Sequence, residues 1–317
     1  MTNIIQSKHC TLRSKMVSGI TNLTSLHVSN LKASVKFYKD AFGFKELSHV
    51  KTAKYESSFI GLDTSKHPGY GKPISQRSGV VELRQDSTSV KIYNGNTEPY
   101  RGFGHLCVSV SNIVAAQKHL LAAGVTFKKR LEDGRQKDIA FVQDPDTYWI
   151  ELIENKLDKK DGVYDIESNR LNHTMIRVRD PQKSLAFYQG VLGMKLFKKK
   201  DFPNAKFTLY FLGYDSDPNY VEDSDDVVYR ARRESILELT HNWGTESDDK
   251  FSYYVFGKDQ GIVGFDHFVV SIPDAEKFSK ELGDSSSVVS KYNENPDAKN
   301  AIVLQDPDGY KVYVQSQ

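Results

Sequence analysis

Four short runs, LTSLHV (23–28), HLCVSV (105–110), HTMIRV (173–178) and HFVVSI (267–272), carry the hydrophobic pattern of β-strands. LKASVKFYKDAF (31–42) and PQKSLAFYQGVL (181–192) follow the first and third, with apolar residues at helical spacing up to Gly43 and Gly193. Glycine at a helix end fits the left-handed conformation that terminates a helix. Three further strand-like runs close each unit, as in KFTLYFLGY (206–214) and SILELTHN (235–242). The pattern predicts an α+β protein built from βαβββ repeated four times.

Internal repetition supports that reading. SVKFYKDAFGFKEL (34–47) returns as SLAFYQGVLGMKLF (184–197), a shift of 184 − 34 = 150, and FVQDPDTYWIEL (141–152) returns as VLQDPDGYKVYV (303–314), a shift of 303 − 141 = 162. About twelve residues are therefore inserted in the second half. Two domains are expected, 20–155 (modules about 20–95 and 101–155) and 170–317 (modules about 170–250 and 262–317). The polar segment 156–169 reads as their linker and 1–19 as a flexible tail. The stretches 63–78 and 214–226 carry the turn residues of surface loops.

The 317 residues hold 43 Lys+Arg and 41 Asp+Glu, a formal net charge of +2. That balance argues against nucleic acid or an anionic membrane surface as partner. No apolar stretch is long enough to span a bilayer, and the N-terminal segment has no apolar signal core. It is basic and rich in Ser and Thr, as a mitochondrial presequence is, but Arg13 is the one arginine before Asp40. Two cysteines, Cys10 and Cys107, make no disulfide framework and fit a reducing compartment, so a cytoplasmic protein is expected.

Candidate chemistry rests on polar residues in strands that should be apolar. The second module has His105 on its first strand and Glu151 on its last; the third has His173 and Glu238 in the same roles. An ionised Glu within an apolar strand costs several kcal/mol unless paired or metal-bound. Singly, such residues are ordinary core or surface groups. Recurring twice at matched positions, two imidazoles and two carboxylates suit zinc, nickel or another borderline divalent ion with positions left for substrate. Residues i and i+4 of a strand share a face, which puts Arg177 beside His173 and Asn242 beside Glu238. Arg101 precedes His105, and Lys129 and Arg135 precede the FVQDP strand, although Lys129 also reads as part of a solvated KKR run. Several cations near one metal point to a substrate bearing carboxylates.

LNHTMIRVRDPQKSLAFYQGVLGMKL, KFTLYFLGY, LELTHNWGTE, NGNTEPYRGFGH and DGRQKDIAFVQDPDTYWIEL together resemble the glyoxalase I (lactoylglutathione lyase) family of the vicinal-oxygen-chelate superfamily. The resemblance runs from about residue 20 to the end and is strongest to the double-length fungal form. It implies modules paired across the two halves, second with third and first with fourth, in two curved eight-stranded sheets with a metal at the joint. It further implies His105, Glu151, His173 and Glu238 as ligands of one divalent metal, most naturally zinc, with nickel or cobalt as the other choices. Arg177, Asn242, Arg101, Lys129 and Arg135 would hold glutathione, and Phe202, Phe207, Leu209 and Phe211 would line the pocket for the aldehyde-derived substituent. The implied reaction converts the hemithioacetal of glutathione and methylglyoxal to S-D-lactoylglutathione. The metal would stabilise the developing enediolate, Glu151 would move the proton, and Glu238 would serve the opposite face. A fused chain needs no second copy, so a monomer is expected.

The first and fourth modules depart from the family pattern. Their four ligand positions read Leu23, Glu82, His267 and Tyr313, and Leu cannot coordinate a metal while a phenol is a poor substitute for a carboxylate. His27, Asp86, Val263 and Asp297 stand in place of Arg177, Asn242, Arg101 and Arg135. One working site per chain and one degenerate site are expected, with Glu82 and His267 read as hydrogen-bonded residues rather than a weak two-ligand site. Two other readings of the same scaffold are a metal-dependent dioxygenase, which would use two His and one carboxylate, and a non-catalytic small-molecule binder.

Overall fold

The computed structural model describes residues 18–256, 261–294 and 300–317. Most of the expected N-terminal tail, with Cys10, and also Asp297 lie outside the described residues.

The first module comprises β1 (Ile20–His27), α1 (Leu31–Phe42), β2 (Lys45–Lys51), β3 (Tyr55–Gly61) and β4 (Val80–Asp86). A two-residue strand, β5 (Lys91–Ile92), leads to β6 (Phe103–Val110), α2 (Ile113–Ala122), β7 (Phe127–Lys129), β8 (Ala140–Gln143) and β9 (Trp149–Glu154). The third module comprises β10 (Arg170–Arg177), α3 (Pro181–Leu185) running into a π-helical stretch (Ala186–Val191), β11 (Lys195–Phe202), β12 (Phe207–Gly213), α4 (Val227–Arg232) and β13 (Ile236–Asn242). After β14 (Ile262–Val263) come β15 (Phe265–Ile272), α5 (Ala275–Leu282), β16 (Val288–Ser290), β17 (Ala301–Gln305) and β18 (Lys311–Ser316).

Helix ends follow local chemistry. Asn30, Asn112, Asp180 and Asp274 cap their helices with side-chain oxygens on free backbone N–H groups, and Gly43 ends α1 at φ 76°.

In every module the first and last strands pair in parallel: β1 with β4, β6 with β9, β10 with β13, β15 with β18. Parallel neighbours need a long crossover, and the helix with the two middle strands provides it. Two mixed eight-stranded sheets result, in the orders β16-β17-β18-β15-β1-β4-β3-β2 and β11-β12-β13-β10-β6-β9-β8-β7. The first sheet thus joins modules one and four, and the second joins modules two and three, through antiparallel β1·β15 and β10·β6 pairs. Strand alternation divides each sheet: Leu237 and Leu239 of β13, Ile150 and Leu152 of β9, and Tyr210 and Leu212 of β12 join the main apolar core, while their neighbours face the opposite side.

Equivalent residues of the two halves meet on a local twofold relation. Thr24 Oγ1 and Thr174 Oγ1 lie 2.5 Å apart, and the rings of Phe103 and Phe265 stack at 5.2 Å. The repeated QDPD-x-Y motif proves to be an inter-module fastener. Asp306 Oδ1 accepts from Asp308 N and Tyr310 N, its Oδ2 accepts from Tyr188 OH at 2.7 Å, and Tyr310 OH donates to Arg177 O. Asp144, Tyr38, Tyr148 and the His27 carbonyl repeat the arrangement in the first half.

Burial, together with the charge of Asp146 and Asp308, pushes Asp144 and Asp306 up to about 7. In the unfolded chain both titrate near ~3.9. Because the folded-state value is the higher one, the folded chain binds the extra proton between these limits. This contribution to stability is complete below about pH 4 and is lost as pH rises through 7, by up to ~1.4 kcal/mol per pH unit and per carboxyl. Asp306→Asn keeps both backbone acceptor contacts and removes one titration. Urea unfolding free energies measured from pH 5 to 7 should therefore have a slope changed by about one proton in the variant. Equal slopes in both proteins would contradict the assignment.

Candidate active site at the joint of modules two and three

The side of β13 opposite the core presents Glu238, Thr240 and Asn242; β10 presents His173, Met175 and Arg177; β9 presents Glu151 and Ile153; β12 presents Phe207, Leu209 and Phe211. All of these line one cavity of about 830 Å³, a size typical of small-molecule sites. Strand parity therefore places Arg177 with His173, and Asn242 with Glu238, on the cavity wall, as the sequence predicts.

His105, Glu151, His173 and Glu238 are all buried, with one ligand-type atom from each lying within 4.8 Å of the others. They form the one such group found among the described residues. His173 Nε2 is 3.0 Å from Glu151 Oε2, 3.1 Å from Glu238 Oε2 and 3.2 Å from His105 Nε2, and His105 Nε2 is 3.5 Å from Glu151 Oε2. A tetrahedral ion with ~2.0–2.2 Å bonds sets its ligand atoms roughly 3.3–3.6 Å apart, close to the four separations above, so a zinc-sized ion fits among these side chains once they adjust by a few tenths of an ångström. The charges agree. Burial opposes ionisation of Glu151, yet hydrogen bonds and charge from His105 and His173 hold its carboxyl well below the usual carboxylate range. Burial likewise disfavours a charge on His173, but Cys107, Glu238 and Glu151 raise its pKa well above that of an ordinary imidazole. Two carboxylates facing two imidazole nitrogens call for a cation at their centre.

Arg177 sits in a cradle of neutral acceptors. Its Nη1 donates to Phe103 O at 2.9 Å and its Nη2 to Asn96 Oδ1 at 2.9 Å, while Tyr310 OH holds its carbonyl. The guanidinium thus lies buried without a carboxylate partner among these contacts, which leaves its charge available to an anion. The NGNTEPYRGFGH motif builds the cradle. Gly95 has φ 78°, and a Cβ there would meet Phe103 O at 2.4 Å; a Cβ on Gly102 would meet Tyr254 O at 2.2 Å. Arg101 stands exposed at the mouth. Asn242 Nδ2 donates to Tyr253 OH at 2.8 Å. Phe202 and Phe207 stack at 4.5 Å and, with Leu209 and Phe211, line the cavity.

Lys129 and Arg135 do not line the cavity, contrary to their expected place beside the substrate. Lys129 Nζ donates to the carbonyls of Gln136 and Ile139 at 2.7 and 2.6 Å and so shapes the loop before β8. Arg135 is exposed within that loop. Gln136, Lys137, Asp138 and Ile139 of the same loop reach the cavity instead. Sequence reasoning also missed α4, which brings Val227, Val228, Arg230 and Ala231 to the wall. The Arg230 guanidinium lies 4.4 Å from the Phe211 ring centroid, and burial lowers its pKa.

At the joint of modules one and four the equivalent positions are filled differently. Leu23 packs with Val80, Val269, Ile74 and Tyr313 in an apolar cluster. Tyr313 stacks on His267 at 4.0 Å, and Glu82 Oε2 is 4.0 Å from His267 Nε2. His27 and Asp86, the counterparts of Arg177 and Asn242, pair with each other at 2.6 Å. Asp266 lies between His267 and His27, at 3.2 and 3.8 Å. Val263 forms part of the small β14·β5 pair.

Residues 20–152 and 170–314 each match the family model described as Glyoxalase/Bleomycin resistance protein/Dioxygenase superfamily. The chain is 42% identical over 309 residues to glyoxalase I of Saccharomyces cerevisiae, covering 93% of this chain and 91% of that protein. It is 40% identical over 303 residues to lactoylglutathione lyase of Schizosaccharomyces pombe, covering 93% and 96%. The crystal structure of glyoxalase I from Zea mays superposes with a TM-score of 0.66 at 25% identity, covering 94% of this chain and 92% of that one.

Proposed function

The chain belongs to the glyoxalase superfamily, in its glyoxalase I (lactoylglutathione lyase) branch, and on that premise we propose that it isomerises the hemithioacetal of glutathione and a 2-oxoaldehyde such as methylglyoxal to S-D-lactoylglutathione at one site, between modules two and three. The observation that carries this reading is the convergence of His105, Glu151, His173 and Glu238 in a cavity that Arg177 and Arg101 also line. These four side chains would hold one divalent metal per chain, with zinc our choice over nickel or cobalt. When bound, the metal supplies Lewis acidity to the substrate oxygens and so acidifies the adjacent C–H bond.

Glu151, held ionised by its surroundings, takes the C1 proton and returns it at C2. Glu238, reaching the same centre from β13 with Thr240 Oγ1 donating to its Oε1 at 3.3 Å, serves the other hemithioacetal stereoisomer. Arg177 and Arg101 bind the glutathione carboxylates, and Asn242 adds a polar contact from its carbonyl side. Phe202, Phe207, Leu209 and Phe211 enclose the substituent and exclude water from the reacting carbons. Two carboxylates at the centre, rather than one, favour this chemistry over that of a dioxygenase. Both joints are completed within one chain, which supports action as a monomer, and the buried free thiol of Cys107 fits the reducing cytoplasm.

Thioester formation from methylglyoxal and glutathione is the test. The intact protein should catalyse it, and Arg177→Met should raise KM at least tenfold while changing kcat less, because a group that holds the remote part of a substrate acts mainly in binding. Absence of thioester formation by the intact protein in the presence of zinc, nickel or cobalt would sink the proposal.

A further inference from the structure

We propose that Asn172 is the positioning residue that fixes His173 in the tautomer and orientation the metal needs; this rests on the reading of His173 as a ligand. Successive residues of a regular strand point to opposite faces, so Asn172 should be turned away from His173. The β10·β6 ladder, however, shifts register between Leu171 and His173. A bulge of this kind re-aims one side chain, and Asn172 and His173 both line the cavity.

The amide orientation follows from its partners. Asn172 Nδ2 lies 2.8 Å from Arg230 O and 2.9 Å from Arg233 O. Carbonyl oxygens only accept, so the nitrogen must face them and Oδ1 must face His173 Nδ1, 2.8 Å away. Nδ1 therefore carries a proton, so Nε2, the atom directed at Glu151, Glu238 and His105, is the nitrogen whose lone pair a metal would take in place of a second proton. The segment that ends α4, which places Arg230 on the cavity wall, thereby sets the orientation of a ligand.

The degenerate half provides an internal control. Asn22 lies at a matching register shift, and its Nδ2 is 2.6 Å from Ile74 O and 2.5 Å from Arg77 O. The clasp on two carbonyls is conserved in geometry between the halves, but the next residue is Leu23, and Asn22 Oδ1 accepts from Gln315 Nε2 at 3.2 Å instead. The clasp is thus a property of the fold, and the bond to a histidine belongs to the intact site alone.

The experiment measures zinc affinity of the full-length chain by chelator competition, beside thermal unfolding, for the wild type, Asn172→Leu, Asn172→Asp and Asn22→Leu. Asn172→Leu should weaken zinc binding about 10- to 100-fold. Asn172→Asp, which keeps an acceptor for Nδ1–H, should recover most of that affinity. Asn22→Leu should lower the unfolding temperature as Asn172→Leu does while leaving zinc affinity within about twofold of wild type. Equal loss in the two Leu variants, or none in Asn172→Leu, overturns the proposal; failure of the wild type to bind zinc overturns the ligand reading beneath it.

Discussion

Replacement of Glu151 by Gln is expected to reduce turnover by about 10²- to 10⁴-fold, the range a positioned general base contributes. The amide keeps the size of the side chain and an oxygen that can face the centre, but it cannot accept the C1 proton. Glu151 Oε2 lies 3.0 Å from His173 Nε2, so part of the loss would come from weaker metal binding; assays at saturating zinc separate the two effects. The matched control is Leu23→Ala, in the position equivalent to His173. Leu23 is buried against Val80, Val269 and Tyr313, so its truncation should lower stability by roughly 2–5 kcal/mol and leave turnover per folded molecule unchanged. The ratio of activity loss to stability loss should therefore invert between the two variants. Comparable loss of turnover in both would mean that the joint of modules one and four takes part in the reaction.

The second large effect is complete and reversible loss of activity on removal of metal. After EDTA treatment, zinc added in fractions of an equivalent should restore thioester formation linearly, with a break at one equivalent per chain. The stoichiometry follows from the contents of the two joints. One gathers four ligand-type atoms within 4.8 Å, whereas the other holds an aliphatic side chain, an imidazole stacked on a phenol, and a carboxylate 4.0 Å from that imidazole. A break at two equivalents would show that Glu82 and His267 still recruit a metal.

Much of this arrangement was legible in the sequence because it is written in two periodicities. Alternation along strands put Arg177 and Asn242 on the faces of His173 and Glu238, and the long repeat divided the chain into four modules, whose pairing the family resemblance implied. Other features had no template. Helix α4 stands where the first half has only the short turn Ile74–Gln76, so comparison with the first half gave no sign of Arg230 on the cavity wall. Lys129 and Arg135 both precede the FVQDP strand, but linear proximity does not tell which way a loop turns. The loop folds back on Lys129, whose ammonium group is taken up by the carbonyls of Gln136 and Ile139. Asn172 escaped notice for a different reason: regular alternation assigns it to the core side, and only the register shift in β10 turns it toward His173. The reading of the first and fourth modules rested on direct substitution. The structure adds the pairing of His27 with Asp86, in which the counterparts of Arg177 and Asn242 satisfy each other.

The exchange of modules between the two sheets bears on how the chain is made. Each half contributes one module to each sheet, so strands β1 and β6 acquire their antiparallel neighbours β15 and β10 only from the other half. During synthesis, residues 20–155 emerge first and leave both of these strands with an open, largely apolar edge until the ribosome has delivered the second half. Unpaired edges are templates for aggregation. The nascent first half is therefore a natural client for chaperones that shield strand edges, and slowing translation beyond the linker should lower the yield of folded enzyme.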